Sequence, residues 1–176
     1  MNMFILAHTP EEIARYHHNV HLNKMILETA QLLSTTVRMI DPKFSDDVDK
    51  SVGSKLYKQT HANHPCAVWM RESHENFEFG VDLLEALLNE YLYRRDKVHA
   101  TYVVYETINH WAEGYSNLIL PFTSFERTQF PLCMPDEYKT NDVIESYRNY
   151  YRAEKMTDKN GRSLANWGTR CTPHWI

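Results

Sequence analysis

The longest regular pattern of apolar and polar positions spans residues 16–40. Leu22, Met25, Ile26, Leu33, Val37 and Ile40 recur at three- and four-residue steps, the spacing that lines one side of an α-helix. His17, His21, Lys24, Glu28, Gln31 and Arg38 follow the same period on the other side, where neighbours one turn apart interact. The stretch predicts one long amphipathic helix around which the rest of the chain is arranged. Before it, residues 3–6 form a short apolar plug of strand or coil. Thr9-Pro10-Glu11-Glu12 predicts a helix start: Thr at the cap, Pro at the first position, then two acids near the positive end of the dipole. That short helix runs from 10 to about 17 and leads or bends into the long one. Asp41-Pro42 ends the long helix, because a residue before proline disfavours α geometry.

Residues 41–60 are polar and charged with a glycine inside, and predict an exposed loop. Pro65 opens a helix over 65–95 with Val68, Trp69, Phe77, Val81, Leu84, Leu87, Leu88 and Tyr91 as its core stripe. Gly80 permits a bend or a close helix crossing there. Residues 100–113 predict a third helix closed by Gly114, although 101–105 also read as strand. A long irregular connection over 115–141 carries Pro121, Pro131 and Pro135, and a fourth helix follows over 142–155. The expected architecture is all-α: a single compact domain of about four main helices with long loops. The helical body covers 1–155, and an irregular basic tail over 156–176 packs on it through Trp167 and Trp175.

Composition narrows this picture. Hydrophobic residues make up 43%, enough for a core, and only five glycines disfavour a turn-rich β sandwich. Three cysteines, Cys66, Cys133 and Cys171, lie far apart without a Cys-x-x-Cys pair. That pattern suggests neither a disulfide framework nor a cysteine zinc site, and fits a reducing, cytoplasmic compartment. The start lacks the basic segment of a signal peptide, and no apolar run approaches the roughly 18 residues of a membrane span. Net charge is −4, which argues against a non-specific nucleic-acid binder. From Tyr147 to Ile176, however, six cations stand against two acids. A basic end on an acidic body fits a localised phosphate-contacting surface, and equally a soluble tail.

Three groups of residues are candidates for chemistry. Glu28 lies one turn beyond Lys24 and two beyond His21, so amine, imidazole and carboxylate share a stripe suited to proton transfer. An α-amino group, with an ordinary pKa of about 7.7–8, is the better nucleophilic amine near neutral pH than a lysine at about 10.4. His61, Asn63 and His64 precede the helix opened by Pro65, where free N–H groups suit an anion. The plainer reading is a cap with two histidines; Arg71 follows on the first turns. Tyr147, Arg148, Tyr150, Tyr151, Arg152 and Lys155 interleave rings and cations as nucleic-acid binders do. The same spacing also fits an amphipathic helix whose tyrosines pack on the core. A metal set drawn from His17, His21, His61 and His64 with Glu28 or Glu72 has no supporting signature, so neither a metal nor another cofactor is expected.

Together these blocks resemble, in order and through roughly residues 16–155, the phage pyrimidine-dimer DNA glycosylase/AP-lyase family. The resemblance rests on His21-Leu22 with Glu28 seven residues after the histidine, on Asn63-His64-Pro65 through Arg94-Arg95-Asp96-Lys97, and on Ser146–Arg152. It implies an all-helical, cytoplasmic base-excision enzyme, in the host cytoplasm if phage-encoded. Its partner would be double-stranded DNA holding a damaged or modified base, pulled from the stack for reaction. In that family the N-terminal amine attacks C1′, the base leaves, a Schiff base forms, and β-elimination cuts the strand while the glutamate handles protons. Carried over here, Glu28 is the carboxylate with His21 beside it, and the amine is that of Met1, of Asn2 if trimmed, or of Lys24. His17, Gln31, His61, His64, Arg71, Tyr147, Arg148, Tyr151, Arg152 and Lys155 would contact DNA. Asn2 stands where the family exposes a smaller Thr, and Leu27 and Gln31 stand where it has arginines. The alternatives are a transferase that modifies an already altered phage DNA base on the same scaffold, and a non-catalytic protein that binds DNA or a host protein.

Overall fold

The computed structural model describes residues 2–114, 122 and 124–176. Met1 and most of the stretch around Pro121, including the start of the expected 115–141 connection, lie outside the described residues. Those described form an all-α domain: α1 (Pro10–Tyr16), α2 (Asn19–Ile40), α3 (Pro42–Lys50), α4 (Pro65–Glu72), α5 (His74–Arg95), α6 (Tyr102–Gly114) and α7 (Val143–Glu154), with a 3-10 turn at Asp136–Tyr138. No described helix is long and apolar enough to cross a membrane.

The first two helices form where their caps dictate. The Thr9 hydroxyl accepts from the Glu12 N–H, and Pro10 occupies the first turn of α1. His18 caps α2, its Nδ1 accepting from the His21 N–H. The short helix leads into the long one through a break over His17 and His18, and His17 belongs to the end of α1 rather than to α2.

Two expectations are corrected. Residues 42–50 are helical, not loop. Asp41, which ends α2, also caps α3 by accepting from Phe44 N–H, and Pro42 is the favoured first residue. The helix expected over 65–95 is two helices, broken at Ser73 rather than bent at Gly80. Ser73 is extended (φ −146°, ψ 160°), and its hydroxyl accepts from Asn76 N–H, so it serves better as a cap than inside a helix. The 124–128 segment seals the break: His74 N–H donates to Ser124 O, and Thr128 N–H donates to Asn76 Oδ1. Gly80 allows the close helix crossing that was the other expectation for it. A Cβ there would stand 2.9 Å from Met70 Cε and 3.2 Å from Leu33 Cδ2, so α5 meets α4 and α2 at this point.

Helix α2 runs through the middle. Its buried residues include His21, Leu22, Met25, Ile26 and every residue from Leu32 to Val37, so it is enclosed over its second half instead of presenting one broad polar face. The plug, Met3–Ala7, is buried without joining a sheet. It threads between α2 and α7: the Phe4 ring contacts His21 on one side and Tyr147, Tyr150 and Tyr151 on the other. This passage carries the start of the chain to α2.

The tail closes over the α1–α2 junction. Trp167 is buried and its indole N–H donates to Tyr16 O, while Trp175 packs against Tyr16 and Tyr151. Arg170 reaches the buried carboxylate of Glu90 on α5, which also holds Arg94. Arg94 in turn donates to the carbonyls of Arg15 and His17, fixing the break.

Candidate active site at the chain start

Glu28 lies midway along α2, with 13% of its side chain exposed. The plug delivers the second residue to it: Asn2 backbone N lies 2.8 Å from Glu28 Oε2. Lys24, one turn earlier and largely exposed, places Nζ 3.6 Å from the other oxygen, Oε1. The carboxylate is thus held between a main-chain nitrogen at the start of the chain and a side-chain ammonium. It is open to solvent on the lysine side.

Asn2 is itself held on all sides. Its Nδ2 donates to Cys133 O at 2.8 Å, and its Oδ1 lies 3.4 Å from Cys66 Sγ and 3.3 Å from the Tyr147 hydroxyl. That hydroxyl donates to Pro131 O and accepts from the Cys133 N–H. Cys66 and Cys133, 67 positions apart in the chain, bring their sulphurs to 3.6 Å. One ring nitrogen of His64 joins them, and the three ligand atoms lie within 4.8 Å of one another. The hydrogen bond to Cys133 and burial push the Cys66 thiol up, while the bond received from Cys66 brings Cys133 down to about 7. Burial, above all, lowers His64, which favours its neutral form.

Of the residues expected at the site, Asn2, Lys24 and Glu28 are brought together, with His64 behind Asn2. Met1 lies outside the described residues. His21 does not join them. It is buried against Phe4 and Tyr151, stacked near His17, and neither ring nitrogen has a partner among the described residues. Burial holds His17 and His21 far below the ordinary imidazole value, His17 at about 3, so both rings are neutral. As placed, they are core groups and not phosphate contacts. Gln31 is half-buried one turn beyond Glu28.

The expected aromatic-basic surface is corrected in the same way. Tyr147 and Tyr151 are fully buried, the first around Asn2 and the second donating or accepting only within the core. Helix α7 turns its tyrosines inward because the apolar plug lies across it. Its cations tie down neighbours: Arg148 Nε donates to Leu6 O, Arg152 donates to Trp175 O and pairs with Glu145, and Lys155 sits over the Tyr150 ring. Arg71 donates to Ala62 O and braces the loop before α4. His61 is exposed, at positive φ, with its ring against the Thr60 hydroxyl. His64 fills the cap of α4 by accepting from Cys66 N–H, so part of the expected anion-binding N-terminus is already occupied.

The cysteines are what sequence reasoning missed. Their separation hid the pairing, and only the adjacency of His64 and Cys66 around Pro65 hinted at it. Elsewhere, a cleft of about 450 Å³ between α1 and α5 is walled by Glu11, Arg15, Asp82, Glu85 and Arg170 among others, and by no residue expected at the site. No protein-family model, curated protein or solved structure matches this chain.

Proposed function

We propose that this chain is a DNA-acting enzyme of the glycosylase/AP-lyase type, using an amine at the chain start and Glu28 as the carboxylate that handles protons. The observation that carries the reading is the 2.8 Å approach of Asn2 N to Glu28 Oε2. With Met1 removed, that nitrogen is a free α-amine with a carboxylate at hydrogen-bond distance, the arrangement general acid–base catalysis needs. The amine attacks C1′ of the target nucleotide and the C1′–base bond breaks, its electron pair leaving with the base. The nitrogen loses a proton to Glu28, and its lone pair then breaks the C1′–O4′ bond, O4′ taking up that proton from Glu28, to give the protonated Schiff base. Removal of a C2′ proton then expels the 3′ phosphate and cuts the strand. With Met1 retained, the amine belongs to the preceding residue, Met1, and the Asn2 amide serves to orient Glu28. Lys24, exposed beside the carboxylate, supplies positive charge for a DNA phosphate.

Borohydride trapping on duplex DNA with an abasic site tests this. The expected result is a covalent adduct that peptide mass spectrometry places on the first residue of the chain. An adduct on Lys24 moves the nucleophile to that side chain, and no adduct at all removes the Schiff-base mechanism. Uncut DNA that yields a new modified nucleoside instead would identify the transferase alternative.

A further inference from the structure

We propose that His64, Cys66 and Cys133 bind a zinc ion, with Asn2 Oδ1 as the fourth ligand, in a clip that fastens the start of the chain to α4 and to the 131–134 segment. Two thiols and an imidazole are the donor set that zinc selects over harder oxygen-seeking cations. They converge from two segments that share no secondary-structure element, and their three ligand atoms lie within 4.8 Å of one another.

Distances separate a metal site from a disulfide. The sulphurs are 3.6 Å apart, far beyond the roughly 2.05 Å of an S–S bond. Two Zn–S bonds of about 2.3 Å at a tetrahedral angle place sulphurs roughly 3.8 Å apart. The existing separation is within a few tenths of an ångström of that edge. Asn2 Oδ1, 3.4 Å from Cys66 Sγ, stands at the spacing of a neighbouring oxygen apex. The Nδ2 bond to Cys133 O holds the amide in that orientation. That bond is the kind of outer support that metal ligands require.

The protons balance simply. Zinc entry releases the thiol protons to solvent and leaves two thiolates and a neutral imidazole as ligands. His64 exchanges its cap bond from Cys66 N–H, long at 3.2 Å, for the metal bond if its Nδ1 is the ligand. Cys66 is buried and both Cys133 and His64 are half-buried, which leaves an entry path on their side.

The test uses the full chain, without a polyhistidine tag, purified with reductant from zinc-supplemented medium. Elemental mass spectrometry is expected to find about one zinc per chain. Cys66→Ser, Cys133→Ser and His64→Ala should each hold less than a tenth of that, and Cys171→Ser should hold it fully. Cobalt substitution should give thiolate-to-cobalt charge transfer and the d–d bands of a tetrahedral site. Because the variants could lose their fold, the wild-type chain supplies a second measurement: added zinc should slow iodoacetamide labelling at Cys66 and Cys133 at least tenfold and leave Cys171 unchanged. Absence of stoichiometric metal on the wild type overturns the proposal. So does zinc retained by both cysteine variants, labelling that zinc does not slow, or a Cys66–Cys133 disulfide in place of metal. None of these readouts depends on amine chemistry, so failure here and failure of borohydride trapping are separate results.

Discussion

Two residues on α2, seven positions apart, show how differently one helical stripe can be used. Glu28 keeps a solvent opening and two nitrogen partners, whereas His21 is enclosed with none among the described residues. For Glu28→Gln we expect the trapped adduct to form about 10²–10⁴-fold more slowly with helical content unchanged, because an amide cannot take the amine proton. Single-turnover trapping with circular dichroism checks both parts, and an undiminished rate would remove Glu28 from the mechanism. Lys24→Ala should keep the adduct at the chain start. It should reduce the slope of log K against log salt for duplex binding by about 0.9, the signature of one lost phosphate contact. His21→Phe replaces a ring whose nitrogens gain nothing from burial. Unfolding free energy should stay level or rise by up to about 2 kcal/mol, since an unsatisfied buried polar group costs about 1–3 kcal/mol. Urea titration decides it, and a loss beyond about 1 kcal/mol would show that the imidazole has a bonding role.

At the scale of elements, what could be read in advance was what short-range chemistry decides. The Thr9-Pro10 cap, the 3.6-residue period of α2 and the stop at Asp41 are all local, and they stand. Asp41-Pro42 was legible only by half, since the pair that stops one helix also starts the next. The break at Ser73 was hidden because its reason lies in the distant 124–128 segment that pairs with it. The site divides along the same line. Glu28 was legible from its place on the α2 stripe and Asn2 through resemblance, while Cys66 and Cys133 meet only through folding, and the inward turn of Tyr147 and Tyr151 follows from where the plug lies. The tail illustrates the energetic side of such long-range ties. Glu90, 5% exposed, accepts from Arg94 at 2.7 Å and from Arg170 at 2.9 Å through each carboxylate oxygen. Glu90→Ala leaves Arg94, almost wholly buried, without its counter-charge and should cost about 3–5 kcal/mol. Arg170→Ala leaves Glu90 paired to Arg94 and should cost distinctly less. Chemical denaturation of both variants measures the difference, and equal losses would mean that tail docking, not buried charge, sets the energy.

Across the whole molecule these buried groups combine into one pH response. His17, His18 and His21 sit where α1, α2, α7 and the tail meet, around the Tyr151 ring. Burial, first of all, lowers each of them, His17 to about 3, and the cations Arg94 and Lys155 add to the effect. Hydrogen bonds to Ile13 O and Lys155 O only partly oppose it for His17 and His18. In the unfolded chain each imidazole titrates near 6.5. Between about pH 6.5 and 3 the unfolded state therefore holds protons that the native state refuses, so stability falls as pH falls through that window, by about 1.4 kcal/mol per unit for each fully neutral histidine. Glu90 adds the same sign lower down. Burial raises its pKa, but the bonds from Arg170 and Arg94 outweigh that and leave it depressed. Its contribution is present above the ordinary carboxylate value and is lost as pH falls through the folded one. Urea unfolding at pH 7.5 and pH 5.0 should then differ by about 2 kcal/mol from His17 alone, with His18 and His21 adding to it. His21→Phe should lower the slope by one proton without removing it. A free energy of unfolding that stays flat between those two pH values would mean that protons reach this cluster in the native state, and that the junction over the chain start is open, not sealed.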